Sequence, residues 1–235
     1  TDKEPPALLA KLLGYGALSC LPAIVVELIL SAGIERLNVR NVYLGYFLEA
    51  FVVAGLTEET CKFLFLRTTW RNPAFDYQFD AIVYAVMVAL GFAAFENVKY
   101  VYSYGFATGI VRAVTAVPGH AIFGVFMGYF YGYAKLSDYW GRDDDRKAYL
   151  ALSVVVPVLM HGCYDFLAFT QESDSRFTLL FYAYLIALYV FGIRRVNRSS
   201  RDDRRVTRET VFDYFRRMQY PMPPQYRDRN DDFWR

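Results

Sequence analysis

The chain has 235 residues, of which 55% are hydrophobic and 18% are aromatic, and its formal net charge is +2. Soluble domains contain fewer apolar residues and do not collect them in long runs. Here the runs reach about twenty residues, which is enough for a helix to cross the hydrocarbon core of a bilayer. The composition therefore excludes a soluble domain and predicts an all-α, polytopic transmembrane helical bundle with the lipid bilayer as its surroundings.

Six apolar runs, separated by short polar loops, are predicted to span the membrane. They cover residues 12–31, 42–66, 79–101, 111–134, 149–169 and 177–193. This prediction makes residues 1–196 one membrane bundle and residues 197–235 an Arg-rich tail. The first residue is Thr1 and not Met, which is compatible with a processed or truncated form that lacks an N-terminal helix.

The basic residues set the predicted orientation. Most of them lie in the loops 67–78 and 135–147 and in the tail, which all fall on one side of a bundle with six spans. The opposite loops hold fewer basic residues, so the positive-inside rule places both termini in the cytoplasm. The chain is thus expected to be a multi-pass membrane protein with a cytoplasmic C-terminal tail.

The stretch from Arg194 to the end of the chain, which includes the tail, carries 12 Arg against 7 Asp and Glu. Residues 207–220 are predicted to form a short amphipathic helix held near anionic headgroups. Docking of a protein partner is the alternative for this segment. Nucleic acid is not expected as a partner, because no recognition pattern accompanies the arginines.

Ionisable residues inside the predicted spans are the strongest functional signal. A charge deep in a bilayer costs at least ~2.5–3.5 kcal/mol on insertion scales, so such residues mark functional sites by default. The leading candidates are four carboxylates and both histidines of the chain: Glu58, Glu59, Glu96, Asp165, His120 and His161. Glu27 and Glu49 lie nearer the predicted outer side and are interpreted as structural or accessory groups.

Helical spacing groups these residues into faces. Glu58 and Lys62 are four residues apart, so they can form an ion pair that leaves Glu59 uncompensated. His161 and Asp165 have the same spacing, and the carboxylate can hold the imidazole in one tautomer.

Two further polar groups come from the third and fourth spans. Glu96 is grouped with Asn97 and Tyr100, and His120 begins a stripe of small residues that includes Gly124. Such a stripe lets a neighbouring helix approach closely. At 1.5 Å per residue, the candidate residues spread over roughly 10 Å of membrane depth, which is more than one tight site in ideal helices allows.

Carboxylates and imidazoles supply the bases, acids and oxyanion donors that peptide-bond hydrolysis needs. The same groups could ligate zinc or another divalent metal, with Glu58, Glu59, Glu96, His120 and His161 as the ligands. The sequence contains neither a His-Glu-x-x-His nor a Gly-x-Ser-x-Gly motif. Residue types and spacing alone leave three classes open: a hydrolase, a proton- or metal-coupled transporter and a non-catalytic membrane scaffold.

Four short stretches resemble, in order, the motifs of PrsW-type intramembrane proteases, which are related to the CAAX-prenyl and bacteriocin-processing proteases. EETCK, FENVKY, HAIFG and HGCYD match Glu-Glu-x-x-Lys, Phe-Glu-x-x-x-Tyr, His-x-x-x-Gly and His-x-x-x-Asp. One motif falls on each of four consecutive predicted spans, and the resemblance covers residues 42–169.

The resemblance implies a glutamic intramembrane endopeptidase of a bacterial or archaeal plasma membrane. In such an enzyme Glu58 or Glu59 would activate water, and His120, His161 and Asp165 would orient the water and stabilise the oxyanion.

Glu96 would lie in the same cavity and Lys62 would compensate the paired carboxylates. The resemblance also implies a membrane-anchored protein substrate, such as an anti-sigma factor cleaved in regulated proteolysis. A mechanism without a metal is the favoured expectation, and a metalloprotease that uses zinc or another divalent ion is the alternative.

Overall fold

The computed structural model describes residues 3–206. In this range the chain forms a helical bundle, and its one strand-like feature is an isolated antiparallel bridge between Tyr77 and Arg205. The α-helices of the described range are α1 (Pro6–Arg36), α2 (Val42–Phe47), α3 (Thr57–Leu66), α4 (Asp80–Tyr104), α5 (Phe106–Val114), α6 (Ala116–Tyr139), α7 (Asp143–Ser173) and α8 (Arg176–Arg201). The predicted all-α class is confirmed.

Five helical segments are long and apolar enough to cross a membrane, judged by length and composition. They are Pro6–Arg36, Asp80–Tyr104, Phe106–Tyr139, Asp143–Gln171 and Arg176–Arg201. The remaining predicted span corresponds to α2, a π-helical segment (Leu48–Leu56) and α3, which follow one another without a break. The polytopic bundle is therefore confirmed.

The helices extend beyond most of the predicted spans. The first turn of α7 is acidic, with Asp143, Asp144 and Asp145, and negative charge stabilises the N-terminus of a helix. Residues 143–148, at the end of the polar loop before the predicted fifth span, are therefore already helical. The predicted boundary between residues 196 and 197 falls inside α8, and the predicted amphipathic stretch 207–220 lies outside the described residues.

Glycines allow the central helix α4 to contact α1 on one side and α6 on the other. A Cβ atom on Gly16 of α1 would lie 2.0 Å from the Val88 carbonyl oxygen of α4, and one on Gly91 would lie 1.9 Å from the Leu13 carbonyl oxygen. The stripe that follows His120 faces α4, where a Cβ on Gly124 would lie 3.0 Å from a backbone oxygen. Small residues thus bring backbones into direct contact, as in other membrane bundles.

We expect Gly16→Ala to destabilise the bundle by about 1–3 kcal/mol, because the added methyl group forces α1 away from α4. Gly14→Ala is the matched control on the same helix, since no atom lies within 4 Å of a Cβ at that position. Thermal unfolding in detergent measures both variants. Equal melting temperatures for the two variants would contradict the proposed close contact.

The chain after α8 turns back across the end of the bundle. The Gln78 N–H donates to the Arg204 carbonyl oxygen at 2.9 Å, and the Val206 N–H donates to that of Asp76 at 2.6 Å. Val206 is almost fully buried. These contacts fix the end of α8 beside the start of α4.

Candidate active site

Three helices bring four of the predicted site residues together inside the bundle. Glu58 and Glu59 come from α3, His120 from α6 and His161 from α7. One potential ligand atom from each residue lies within 4.8 Å of the others. All four side chains are buried, and Glu59 has no exposed surface.

The π-helical segment Leu48–Leu56 precedes the two glutamates. A Cβ atom on Gly55, near its end, would lie 3.1 Å from the Val158 carbonyl oxygen and 3.3 Å from the Gly162 N–H nitrogen of α7. This close approach places His161, the neighbour of Gly162, against α3. Short π segments often occur at functional sites, but a sequence pattern interpreted with α-helical periodicity does not reveal them.

The Lys62 ammonium group lies between the two glutamates. It donates to Glu58 Oε2 at 3.2 Å and to Glu59 Oε1 at 2.7 Å. It also lies 3.0 Å from His120 Nδ1. The interpretation that Lys62 compensates Glu58 alone is corrected here, because residues three and four positions away on a helix are both within reach of one side chain.

The Glu96 carboxylate contacts the His120 ring on the side opposite Lys62. Because the Lys62 ammonium can only donate, Nδ1 of His120 is the acceptor and Nε2 carries the proton. His120 Nε2 then donates to Glu96 Oε2 at 3.0 Å. Glu96 therefore does not join the four-residue group directly but orients one of its histidines. Because Glu96 reaches the four-residue group only through His120, these contacts accommodate the difference in membrane depth between Glu96 and Glu58 that the sequence predicts.

The His161 ring is held by a carboxylate at each nitrogen. Its Nδ1 lies 2.9 Å from Glu59 Oε1, and its Nε2 lies 3.2 Å from Asp165 Oδ2. The structure thus places the Asp165 carboxylate against the imidazole, as the spacing of four residues predicted. An imidazolium ion satisfies both contacts, since both of its nitrogens donate.

Arg112 of α5 is a site residue that the sequence interpretation missed. Its Nη2 donates to Glu96 Oε2 at 2.7 Å, and its guanidinium carbon lies 3.7 Å from the centre of the Tyr100 ring. The sequence interpretation placed it near the edge of a span among the loop arginines. The available signal was a lone arginine within the apolar stretch of residues 106–114.

The predicted supporting residues take packing and lining positions. Asn97 Nδ2 donates to the Gly109 carbonyl oxygen at 3.3 Å, which holds α5 against α4. The Tyr100 ring stacks against the Arg112 guanidinium, and Gly124 provides close contact between α6 and α4.

A cavity of about 360 Å³ lies beside the four-residue group. Glu58, His120 and His161 line this cavity, whereas Glu59 and Lys62 do not. Its wall continues toward the end of α1 and the start of the π-helical segment through Glu27, Ser31 and Glu49. Of the two adjacent glutamates, Glu58 is therefore the one that faces the open space.

The donor set fits a divalent metal. Two imidazole nitrogens with carboxylate oxygens are ligands that zinc accepts in proteins. Glu59 Oε2 is buried and has no hydrogen-bond partner within residues 3–206. With the side chains that contact it, the group contains four carboxylates (Glu58, Glu59, Glu96 and Asp165) and two permanent cations (Lys62 and Arg112). With neutral histidines the total charge is −2, which one divalent ion would balance. The buried Glu/His group could thus hold a metal.

Comparisons with known proteins agree with this geometry. A family model described as "PrsW family intramembrane metalloprotease" matches residues 4–193. Protease PrsW of Oceanobacillus iheyensis is 33% identical over 198 residues, which cover 84% of this chain and 85% of the relative. Protease PrsW of Bacillus subtilis is 33% identical over 199 residues, with 84% and 85% coverage.

Protease PrsW of Clostridioides difficile is 31% identical over 209 residues, which cover 87% of this chain and 84% of the relative. No solved structure matches the chain. These likenesses favour a protease over the transporter and the non-catalytic scaffold, which the residue types alone left open. The chain belongs to the PrsW family of intramembrane proteases.

Proposed function

We propose that the protein hydrolyses a peptide bond of a membrane-anchored protein within its intramembrane cavity, with Glu58 as the general base. The observation that carries this proposal is that Glu58 and both histidines line the cavity, while Glu59 is enclosed behind them. A general base must have direct access to the water whose proton it accepts.

Glu58 would accept a proton from water as the water oxygen attacks the peptide carbonyl carbon. The same carboxyl group can then donate that proton to the leaving amine. Lys62 lies 3.2 Å from Glu58, and its positive charge would stabilise the oxyanion of the tetrahedral intermediate. Such preorganised charge is commonly the largest contribution to catalysis.

We further propose that Glu59, His120 and His161 hold a divalent metal, which leaves Glu58 free as the base. Two histidines and one carboxylate are a ligand set of catalytic zinc sites. Glu96 and Asp165 would orient the two imidazoles from their far sides, as second carboxylates do in such sites. When bound, the ion would supply Lewis-acid activation of water and of the peptide carbonyl.

Removal of the metal is expected to lower peptidase activity by at least roughly a hundredfold, since no other group supplies Lewis-acid activation. Purified protein is dialysed against a chelator, assayed, and assayed again after one equivalent of zinc is added. Elemental analysis of the same samples follows the bound metal. Full activity at less than a tenth of an equivalent of any divalent metal would support the metal-free mechanism instead.

The position of the cavity supports a membrane-anchored substrate. A site enclosed by membrane-spanning helices favours a single-span protein whose cleaved segment lies in or next to the bilayer. We propose a regulatory protein such as an anti-sigma factor, in a plasma membrane with the enzyme's C-terminal tail in the cytoplasm. The orientation is supported by the excess of basic residues in the loops at that end.

The function is tested by co-reconstituting the purified chain with single-span substrates in liposomes. We expect two products whose masses locate the cleaved bond within the membrane segment or at its edge. If every tested segment stays intact while the enzyme remains folded, the proposed activity is wrong.

Arg112→Gln is expected to lower activity by roughly 10–100-fold. Without the guanidinium charge, the Glu96 carboxylate is held less firmly, and the His120 ring that it orients becomes less well positioned. Arg112→Lys keeps the charge and should recover part of the loss. Arg40→Gln, in a loop at the end of the bundle toward which the cavity extends, is the control. Cleavage rates in liposomes measure the effect of each variant. A wild-type rate in Arg112→Gln would refute the proposed positioning role of Arg112.

A further inference from the structure

A second cavity lies at the other end of the bundle. It measures about 170 Å³ and is enclosed by the start of α4, the C-terminal half of α6 and the end of α8. The side chains that line it are largely polar and include Tyr129, Tyr133, Arg195, Arg198, Ser199 and Asp202. None of them belongs to the active site or to the four sequence motifs.

Arg195 is the most informative residue of this cavity. Its guanidinium carbon lies 4.1 Å from the centre of the Tyr129 ring. Stacking on an aromatic face fixes the plane of a guanidinium and leaves the N–H groups at its edge available. Among residues 3–206, no carboxylate forms an ion pair with Arg195, whereas Arg198 lies 3.6 Å from Asp202. Two guanidinium groups and one carboxylate give the cavity a charge of +1.

Ser199 adds a second, independent feature. Its Oγ atom is buried and has no hydrogen-bond partner in the described part of the chain. A hydroxyl group without a partner is costly when buried, because it has lost its water. The cavity therefore offers a donor that a bound ligand could satisfy.

The level of the cavity along the bundle matches a membrane surface. Arg195 lies two residues after Ile193, the last residue of the apolar run of α8, and tyrosines are enriched at this depth in membrane proteins. The end of α8 is fixed here by the backbone pairing of residues 204 and 206 with the loop before α4. The cavity is thus formed by a fixed backbone at the height of lipid headgroups.

We propose that this cavity binds a phosphate group, supplied by the headgroup of an anionic phospholipid or by free phosphate. The in-plane N–H groups of Arg195 match two phosphate oxygens, and charge-assisted hydrogen bonds of this kind are about twice as strong as neutral ones. The Ser199 hydroxyl donates to a further oxygen. Phosphate accepts all of these hydrogen bonds and balances the charge of the cavity.

The test counts lipids that stay bound. The full chain is placed in nanodiscs of equal parts phosphatidylglycerol and phosphatidylcholine. It is then released from the nanodiscs under mild activation, and native mass spectrometry measures the mass of the protein with its bound lipids. We expect one retained phosphatidylglycerol, and roughly a tenfold or greater loss of its occupancy in Arg195→Gln, since a charged hydrogen-bond partner is removed. Arg194→Gln is the matched control, because Arg194 is the exposed neighbour and does not line the cavity.

Addition of inorganic phosphate separates the two sources. Displacement of the retained lipid shows that free phosphate also enters, and retention assigns the cavity to the lipid. If Arg195→Gln does not fold, Arg195→Lys is used, for which an intermediate loss is expected. The proposal is overturned if no lipid is retained selectively and phosphate does not bind, or if Arg194→Gln weakens binding as much as Arg195→Gln. Because the readout is binding, the result is independent of peptidase activity.

Discussion

Glu58→Gln is expected to reduce peptide hydrolysis by roughly 10²–10⁴-fold while the bundle stays folded, since an amide cannot accept the proton of water. The substitution preserves the shape of the side chain. Its amide oxygen can still accept from Lys62, which lies 3.2 Å from the carboxylate in the native protein. Stability is therefore expected to change little compared with activity. Initial cleavage rates in liposomes and melting temperatures in detergent measure the two effects separately.

Two companion variants make this result specific. Glu35→Gln changes an exposed carboxylate near the end of α1 and should cleave at the wild-type rate. Glu59→Gln should lose activity together with bound metal, because Glu59 is proposed as a ligand. If Glu58→Gln cleaves normally while Glu59→Gln loses activity but keeps its metal, the two glutamates have exchanged roles.

Lys62→Met is expected to destabilise the protein by about 3–5 kcal/mol, because removal of one partner leaves buried charges uncompensated. Lys62 is 1% exposed and contacts both glutamates. Its ammonium also lies over the Phe92 ring, 4.0 Å from the ring centre. Methionine has a similar length and no charge, so the loss reports the charge. Thermal unfolding in detergent measures the difference in stability between this variant and the wild type.

A second substitution tests this explanation. Adding Glu59→Gln to Lys62→Met removes one of the uncompensated charges and should restore a large part of the stability. Lys99→Met is the control, since Lys99 is an exposed lysine of α4. A double variant no more stable than Lys62→Met would show that the single variant is destabilised by lost packing.

Much of the fold could be predicted because a membrane imposes strong rules on a sequence. Apolar runs of sufficient length locate the spans, and charges inside them are costly enough to mark the site. Helical spacing correctly placed Asp165 beside His161. The order and spacing of the four motifs indicate the family, because together they fix ten residue positions on four helices.

Other features depend on information that a periodic pattern does not contain. The π-helical segment before Glu58 changes which residues face α7, and an α-helical pattern has no signal for it. Lys62 was assigned to one carboxylate because spacing defines a face but not the reach of a flexible side chain. Arg112 was missed because α5 folds back on α4 after Gly105, a left-handed residue with φ of 90°. A periodic pattern does not show that this turn brings Arg112 beside Glu96.

The close contact of α1 with α4 has a consequence for substrate choice. No side chain separates the two backbones at Gly16 and Gly91, and tightly packed interiors transmit strain instead of yielding. Glu27 on α1 and Glu96 on α4 therefore form one stiff wall of the catalytic cavity. For a transmembrane substrate of the proposed kind, this wall would have a spacing set by the backbone and would not widen to admit a helix. We therefore expect segments that unwind readily to be cleaved faster than stable helices.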